Sequence, residues 1–195
     1  MTSAQSHWPA WQRRDAIRTT TTRRRLIGIA AAFVLAEAVT AEAMVDATTR
    51  KLNLIAQSLN FLQHAPKGPV ILGIVYPPAS PGEAHQIEAA FGDGVQSGAL
   101  TLRPRLLTVN EAFNAQGIIG LLLTDAALPD APAIASAMAG KGVLTVASDP
   151  AAVSAGVVVM AVRIVPRIEI YLSRSAARTA GIEFSTPFRM MLQER

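Results

Sequence analysis

Few residues in this chain of 195 have the chemistry of a catalytic or metal-binding site. It contains no cysteine, which excludes disulfides, thiolate metal ligands and cysteine nucleophiles. Its three histidines are His7, His64 and His85. His85 lies near Glu83 and Glu88 on a predicted helix, a spacing that allows a weak metal site but is also typical of a solvated helix face. Because no further histidine or cysteine is near, zinc chemistry is not expected.

The sequence patterns of nucleotide-binding and hydrolytic enzymes are also missing. Gly92-Asp93-Gly94 resembles part of a dinucleotide-binding fingerprint, but that fingerprint follows a strand and opens a helix. Here the glycines follow a predicted helix, so they indicate a helix end and a loop. The sequence has no G-x-S-x-G motif, no P-loop and no paired-carboxylate signature. We therefore predict a protein that is not an enzyme and that holds no cofactor and no metal.

The elements that would position any site alternate between helix and strand. Leu52, Ile55, Leu59 and Leu62 recur at spacings of three and four, which predicts an amphipathic helix over Val45–His64. Short apolar runs then alternate with helical segments, and the predicted strands cover residues 70–76, 102–109, 117–124, 143–147, 157–163 and 167–172. This order predicts one α/β domain with a mostly parallel, mixed sheet of about five to six strands, flanked by helices.

The sequence predicts three further features of these elements. A helix is expected over Glu83–Gln96. Pro104 favours an edge or a bulge for its strand, because proline cannot donate to the hydrogen-bond ladder. The last two strands are expected to pair as a hairpin.

Loops at the carboxyl ends of strands are where α/β sheets bind ligands. Three such loops, Pro77–Gly82, Asp125–Asp130 and Ser148–Pro150, could line a crevice. Ser148 and Asp149 are the candidate residues of the third loop. An Asp-Pro pair also begins turns and caps helices without any ligand, and both interpretations stay open at this stage.

The first 43 residues contain the three parts of a secretory signal peptide, in order. An arginine-rich polar stretch runs to Arg25, the apolar stretch Leu26–Ala36 follows, and Ala41-Glu42-Ala43 matches the pattern of a cleavage site. We predict cleavage after Ala43, with Ala36-Glu37-Ala38 as a second candidate. The mature domain would then cover residues 44–195 and would reside in the periplasm.

The export route is left open by the arginines before the apolar stretch. Arg23 and Arg24 belong to a segment that partly matches the twin-arginine export motif, with Leu26 in place of the expected Phe. A general secretory signal with surplus arginines fits equally. An uncleaved membrane anchor is disfavoured because Glu37 and Glu42 interrupt the apolar run, and a charge at bilayer depth costs about 2.5–3.5 kcal/mol.

The distribution of charge argues against a nucleic-acid partner. The first 43 positions contain six arginines and three acidic residues, whereas the remaining chain contains twelve basic and eleven acidic residues. The basic character therefore belongs mostly to the predicted signal peptide. The rest of the chain lacks a basic stripe with interleaved aromatic residues.

The last third of the chain resembles the end of the YfiR-like family of small periplasmic proteins. In that family a V-L-T-V-S-D strand precedes a short helix and a glycine-containing turn. A hairpin ending in R-F-x-I-N-L then leads to an alanine-rich helix, a G-[LI]-x-[FI]-S segment and a short leucine-rich helix. The matching residues are Val143–Val146, Asp149, Gly156, Arg167, Glu169, Ile170, Leu172, Ala176, Ala177, Gly181, Ile182, Phe184 and Ser185. The departures are Tyr171 in place of Asn, a double glycine reduced to Ala155-Gly156, an aromatic-Pro element that appears only as His64-Ala65-Pro66, and the absence of the cysteines found in some members.

The resemblance implies a regulatory protein rather than a catalyst. The best-understood members of the family act on the sensor domain of a membrane-bound diguanylate cyclase and restrain cyclic-di-GMP synthesis, whereas many members have no assigned partner. In the former, redox or envelope stress is thought to relieve the restraint through cysteines, so switching in this chain would need another input. A homodimer is left open. The alternative is a small periplasmic ligand-binding domain that resembles one lobe of a solute-binding protein, although two-lobed capture needs roughly twice this length.

Arg167, Glu169 and Tyr171 are the candidate contacts with a signalling partner. They alternate along a late predicted strand, and alternate residues of a strand share a face. We therefore expect the three side chains to be exposed together or buried together.

Overall fold

The computed structural model describes residues 45–164, 166–191 and 193–194. The chain divides into two units, Met1–Glu42 and Ala43–Arg195, and the described residues all belong to the second. The predicted signal peptide, with Arg23, Arg24 and the cleavage position after Ala43, lies outside the described residues. Among the helices that are described, none has both the length and the apolar character needed to span a bilayer.

Helices and strands alternate along the described residues, as the hydrophobic pattern predicts. A first helix, α1, covers residues 45–59. The elements that follow are, in chain order, β1 (Gly68–Tyr76), α2 (Gly82–Phe91), β2 (Val95–Ser97), β3 (Leu100–Thr108), α3 (Val109–Ala112), β4 (Gly120–Leu123), a 3₁₀ helix (Asp125–Asp130), α4 (Ala131–Ala137), β5 (Leu144–Ala147), α5 (Pro150–Ser154), β6 (Met160–Arg163), β7 (Glu169–Leu172), α6 (Arg174–Ala180), α7 (Thr186–Met191) and β8 (Gln193–Glu194).

The strands form one mixed sheet in the order β2-β3-β1-β4-β5-β6-β7-β8. The five central strands, in the sheet order β3-β1-β4-β5-β6, are all parallel to one another. At the two sides, β2 pairs antiparallel with β3 and β7 pairs antiparallel with β6. The predicted single α/β domain with a mostly parallel, mixed sheet is confirmed, and so is the closing hairpin. The sheet has more strands than expected because each edge adds a short one, β2 with three residues and β8 with two.

Two hydrophobic layers cover the two faces of this sheet. Leu122 of β4 packs in the layer that α1, α2, α6 and α7 complete, whereas Leu121 and Leu123 pack in the layer formed with α3, α4 and α5. Every residue of β4 and β5 is buried. Burial on both faces explains why these strands appear in the sequence as continuous apolar runs rather than alternating ones.

The region after α2 differs from the predicted helix over Glu83–Gln96. The helix ends at Phe91, and Gln96 lies in β2. Gly92 and Gly94 adopt φ values of 52° and 120°, which stop the helix and turn the chain back toward β3. Pro104 lies in β3 beyond the three residues that pair with β2. On the β2 side of the strand, no hydrogen bond is therefore lost because proline lacks an N–H. β3 is the second strand of the sheet rather than its edge strand, but β2 is too short to reach Pro104, which therefore lies on a stretch of β3 that is unpaired on that side.

Candidate functional site

The sheet has a topological switch point between β1 and β4. From β1 the chain passes to β3 on one side and later returns to β4 on the other. The connections that follow β1 and β4 diverge, and they leave a crevice outside the carboxyl ends of the strands, where open α/β sheets bind ligands. Thr124 fixes this point, because its backbone N–H and its hydroxyl both donate to the carbonyl oxygen of Val75, at 3.0 and 2.9 Å.

Lys51 is the cationic residue that α1 brings to this crevice. Its Nζ donates to Ser148 Oγ at 2.7 Å, and Ser148 is the first residue after β5. The next residue of α1, Leu52, is fully buried in the core, which fixes the helix against the sheet. Lys51 is consequently held at the strand ends although it precedes the first strand in the sequence.

Glu83 and Asp125 are the acidic residues of the crevice. Glu83 lies in the first turn of α2, and its Oε2 accepts the backbone N–H of Asp125 at 2.8 Å. Asp125 opens the 3₁₀ helix that follows β4. This hydrogen bond joins the loop after β1 to the loop after β4, so both carboxylates stand at the switch point.

The pKa values of these groups reflect partial burial. Burial lowers the pKa of Lys51, although the negative charges of Glu83 and Asp125 oppose that shift. Burial raises the pKa of Glu83, the hydrogen bond from the Asp125 N–H opposes the shift, and the charge of Asp125 adds to it. Among the described residues, Lys51 forms no ion pair with either carboxylate, so these charges act on one another from a distance.

These side chains line a cavity of about 420 Å³. Apolar side chains from α2, β6 and the residue after it form part of the wall, namely Ile87, Val162 and Ile164. Ligand sites of small molecules typically measure about 300–1,000 Å³ and combine apolar walls with a few polar groups. The crevice has the size and the composition of such a site.

The β6–β7 hairpin holds a second charged cluster, next to the crevice. The Glu169 carboxylate accepts hydrogen bonds from Arg163, from Arg167 Nε at 2.8 Å and from the Tyr171 hydroxyl at 2.7 Å. The Arg163 guanidinium also lies 5.8 Å from the centre of the Tyr171 ring. The hydrogen bonds from Tyr171, Arg163 and Arg167 lower the pKa of Glu169 to about 2.

The expectation that Arg167, Glu169 and Tyr171 share one degree of exposure is wrong. Glu169 and Tyr171 are buried at 8% and 4% exposure, whereas Arg167 is exposed. The reason is the strand boundary: β7 begins at Glu169, so Arg167 lies in the turn before it and escapes the strand alternation. Of the three candidate partner contacts, Arg167 alone has an exposed side chain.

The candidate strand-end loop divides between two roles. Ser148 lines the crevice and binds Lys51, as a ligand-site interpretation requires. Asp149 instead caps α5, because its Oδ1 accepts the backbone N–H of Ala151 at 2.8 Å. The Asp-Pro pair therefore does what the second interpretation predicted.

The histidine on α2 occupies a solvated helix face. His85 Nδ1 lies 3.6 Å from a Glu88 carboxylate oxygen, and both side chains are largely exposed. Within the described part of the chain, no group of three or more His, Asp or Glu side chains is placed to hold a metal ion.

Two acidic residues and one basic residue of the crevice were not recognised as site residues in the sequence. The strand-end rule pointed to the loop that contains Asp125, and Glu83 follows the first predicted loop directly. No motif indicates Lys51, because it is a single lysine on an amphipathic helix. Its role depends on contact with Ser148, which is 97 residues further along the chain.

The carboxyl-terminal segment provides a different kind of surface. Phe61, which follows α1, stacks on Phe188 of α7 with ring centroids 4.6 Å apart. Phe61 is 38% exposed and Met190 on the same helix α7 is 79% exposed. A groove beside this segment is lined by Arg174, Arg178 and Arg189, among others. We call Phe61, Met190 and these three arginines the carboxyl-terminal surface.

No protein-family model matches the chain, and no curated protein matches it. The likeness to the YfiR-like family consequently rests on the residue pattern of the last third of the chain.

Proposed function

We propose that the chain is an exported, non-enzymatic regulatory protein that binds the periplasmic part of a membrane signalling protein. A diguanylate cyclase is the proposed partner, and restraint of cyclic-di-GMP synthesis is the proposed effect. The likeness to YfiR-like proteins supports this function, since their order of strands and helices agrees with the sequence of elements from β5 to α7.

The observation that carries the proposal is the carboxyl-terminal surface. Aromatic residues, Met and Arg are the residue types enriched in the centres of protein–protein interfaces. Phe61 and Met190 are exposed, Phe61 stacks on Phe188 of α7, and the groove next to α7 is lined by three arginines and by Glu183. The excess of basic side chains suits a partner surface that is apolar with an acidic rim.

The tip of the β6–β7 hairpin is the proposed second contact. Ile168 is 54% exposed, and the neighbouring Arg167 is exposed as well. Arg167 Nε lies 2.8 Å from a carboxylate oxygen of Glu169, so this exposed side chain is tied to the first residue of β7.

The first test is cellular cyclic-di-GMP in a deletion strain, compared with the same strain that expresses the full chain. Deletion should raise cyclic-di-GMP and complementation should lower it again. Complementation with Met190→Glu should fail, because the substitution places a negative charge at the proposed contact. Val45→Glu is the matched control: Val45 is also an exposed apolar residue, at 56%, but it lies at the start of α1.

Each outcome of this comparison has a meaning once immunoblots show equal protein levels. Unchanged cyclic-di-GMP on deletion overturns the proposed restraint. Restoration by Val45→Glu together with failure of Met190→Glu supports the carboxyl-terminal surface. Failure of Ile168→Glu alone would move the contact to the hairpin tip.

The switch-point crevice favours a second candidate function, a small-ligand-binding domain. A ligand that binds only the folded state raises its stability by mass action, by about 2.7 kcal/mol at a concentration of 100 Kd. A thermal-shift screen of the full chain against amino acids, sugars, carboxylates and amines tests this function. Failure of every solute to raise the melting temperature would contradict it.

A further inference from the structure

Opposite charges face each other across the crevice without contact. Lys51 stands on the α1 and β5 side, and Glu83 and Asp125 stand on the α2 and β4 side. Among the described residues, Lys51 forms no ion pair with either of them. The cavity of about 420 Å³ occupies the space that these three side chains line.

The Lys51 side of the crevice has the donors that a carboxylate needs. A lysine ammonium has three N–H donors, and one of them is used by Ser148 Oγ at 2.7 Å. Because the serine oxygen accepts this bond, its own hydroxyl proton remains able to donate outward. One N–H of Lys51 and the O–H of Ser148 can thus bind the two oxygens of one carboxylate.

The opposite side has the acceptors that an ammonium needs. Glu83 uses Oε2 to accept the Asp125 N–H, and its Oε1 forms no hydrogen bond within the described residues. The Asp125 carboxylate likewise accepts none there. Two carboxylates with unused oxygens suit an ammonium group, which has three N–H donors to place.

We propose that the switch-point crevice binds a free α-amino acid, with its carboxylate on Lys51 and Ser148 and its ammonium on Glu83 and Asp125. The side chain of the amino acid packs on Ile87, Val162 and Ile164, which favours an apolar one. This inference deepens the second candidate function, and it does not depend on the restraint of a cyclase.

Electrostatics favour a zwitterion over a simple anion or cation. A simple anion on Lys51 would face two carboxylates, and a simple cation on Glu83 and Asp125 would face Lys51. A zwitterion meets a complementary charge on each side. Arg163 also lines the cavity, but its guanidinium is bound to Glu169 and Tyr171 and does not alter this balance.

The experiment begins with a thermal-shift screen of the full chain against the twenty common L-amino acids. The amino acid with the largest effect is then titrated by calorimetry, alongside its amide and its deamino carboxylic acid. Each analogue lacks one charge. A hydrogen bond to a charged group contributes about 1.5–3 kcal/mol, so each analogue should bind about 10- to 100-fold more weakly.

Two variants assign the charges to their residues. Lys51→Met should abolish the preference for the amino acid over its amide, and Glu83→Gln should reduce the preference over the deamino acid. Each preference is a ratio of two affinities measured on the same protein. A general loss of folding would weaken both affinities alike and would leave the ratio unchanged. Lys141→Met is the matched control, since Lys141 is an exposed lysine that precedes β5 and does not line the cavity, and it should leave both ratios unchanged.

The outcomes separate this inference from the function on which it depends. Stabilisation by a sugar, or by a carboxylate as strongly as by its amino acid, would keep the ligand-binding function and overturn the amino-acid inference. Absence of stabilisation by every solute would overturn both. Binding of an amino acid with ratios that Lys51→Met does not change would place the site elsewhere and overturn the inference.

Discussion

Two neighbouring clusters of charged side chains at the carboxyl end of the strands differ in the hydrogen bonds and ion pairs that their charged groups form. In the β6–β7 hairpin, the Glu169 carboxylate accepts hydrogen bonds from Arg163, Arg167 and Tyr171. In the switch-point crevice, Lys51 binds a neutral serine hydroxyl, while the carboxylates of Glu83 and Asp125 stand apart from it. Arg163 touches both regions, since it lines the crevice and binds Glu169.

The difference separates a structural cluster from a binding site. A buried charge that is fully hydrogen-bonded and paired within the protein stabilises one conformation. A partly buried charge without a close partner carries a desolvation cost that a bound ligand can offset. The pKa shifts have the matching directions: hydrogen bonds lower the pKa of Glu169, and burial raises the pKa of Glu83. The hairpin is therefore expected to matter for stability, and the crevice for binding.

The largest effect on stability is expected at Tyr171. Tyr171→Phe removes the hydroxyl that donates to Glu169 at 2.7 Å in a buried position, and it should lower the free energy of unfolding by about 1.5–3 kcal/mol. Urea unfolding of the full chain measures this loss. Tyr76→Phe is the control, expected within about 0.5 kcal/mol because Tyr76 is only partly buried. Equal effects of the two substitutions would contradict the structural role of the hairpin cluster.

The second prediction concerns the pH dependence of stability. The pKa of Glu169 is about 2 in the folded chain and 4.5 in its ordinary state. A lowered carboxylate pKa stabilises the fold fully above pH 4.5, and this contribution is lost as the pH falls toward about 2. Unfolding midpoints measured across this window should fall with pH, and Glu169→Gln should flatten that fall. If the stability of Glu169→Gln fell with pH in parallel with that of the natural chain, the hairpin cluster would not be the source of the pH dependence.

The smallest effect is expected in the crevice, and its sign is opposite. Lys51→Met removes a charge whose pKa burial lowers, so it should leave the free energy of unfolding unchanged or raise it by up to about 1 kcal/mol at neutral pH. The same urea experiment gives the value. A loss comparable with that of Tyr171→Phe would mean that Lys51 is structural, and it would remove the contrast between the two regions.

The sequence pattern predicted the order and type of most elements, for reasons that are local. The runs at β4 and β5 are apolar at every position because both faces of these strands are buried. Ser173 at the start of α6 and Gly181 at its end are ordinary helix-capping residues, and the structure places them in those roles. The end of α2 was placed too late at Gln96, although Gly92 and Gly94 were themselves interpreted as a helix end, and their positive φ values stop the helix at Phe91.

The site was less accessible to sequence reasoning than the fold. The rule that ligands bind at strand ends pointed to the loops with Asp125 and Ser148, and both residues line the cavity. Lys51 carries no local pattern that separates it from any solvent-facing lysine of an amphipathic helix. The exposure of the hairpin residues was predicted wrongly, because β7 begins two residues later than the predicted strand and Arg167 therefore lies outside the alternation.

The sequence by itself determined the α/β class, because hydrophobic periodicity and turn residues act within a few positions of one another. Only the tertiary structure decided which charges meet, because that depends on strand order. The order β3-β1-β4-β5 brings a helix before the first strand against a loop after β5 and leaves Lys51 opposite Glu83 and Asp125. Contacts across 97 residues follow from the packing of the sheet, which no local spacing encodes.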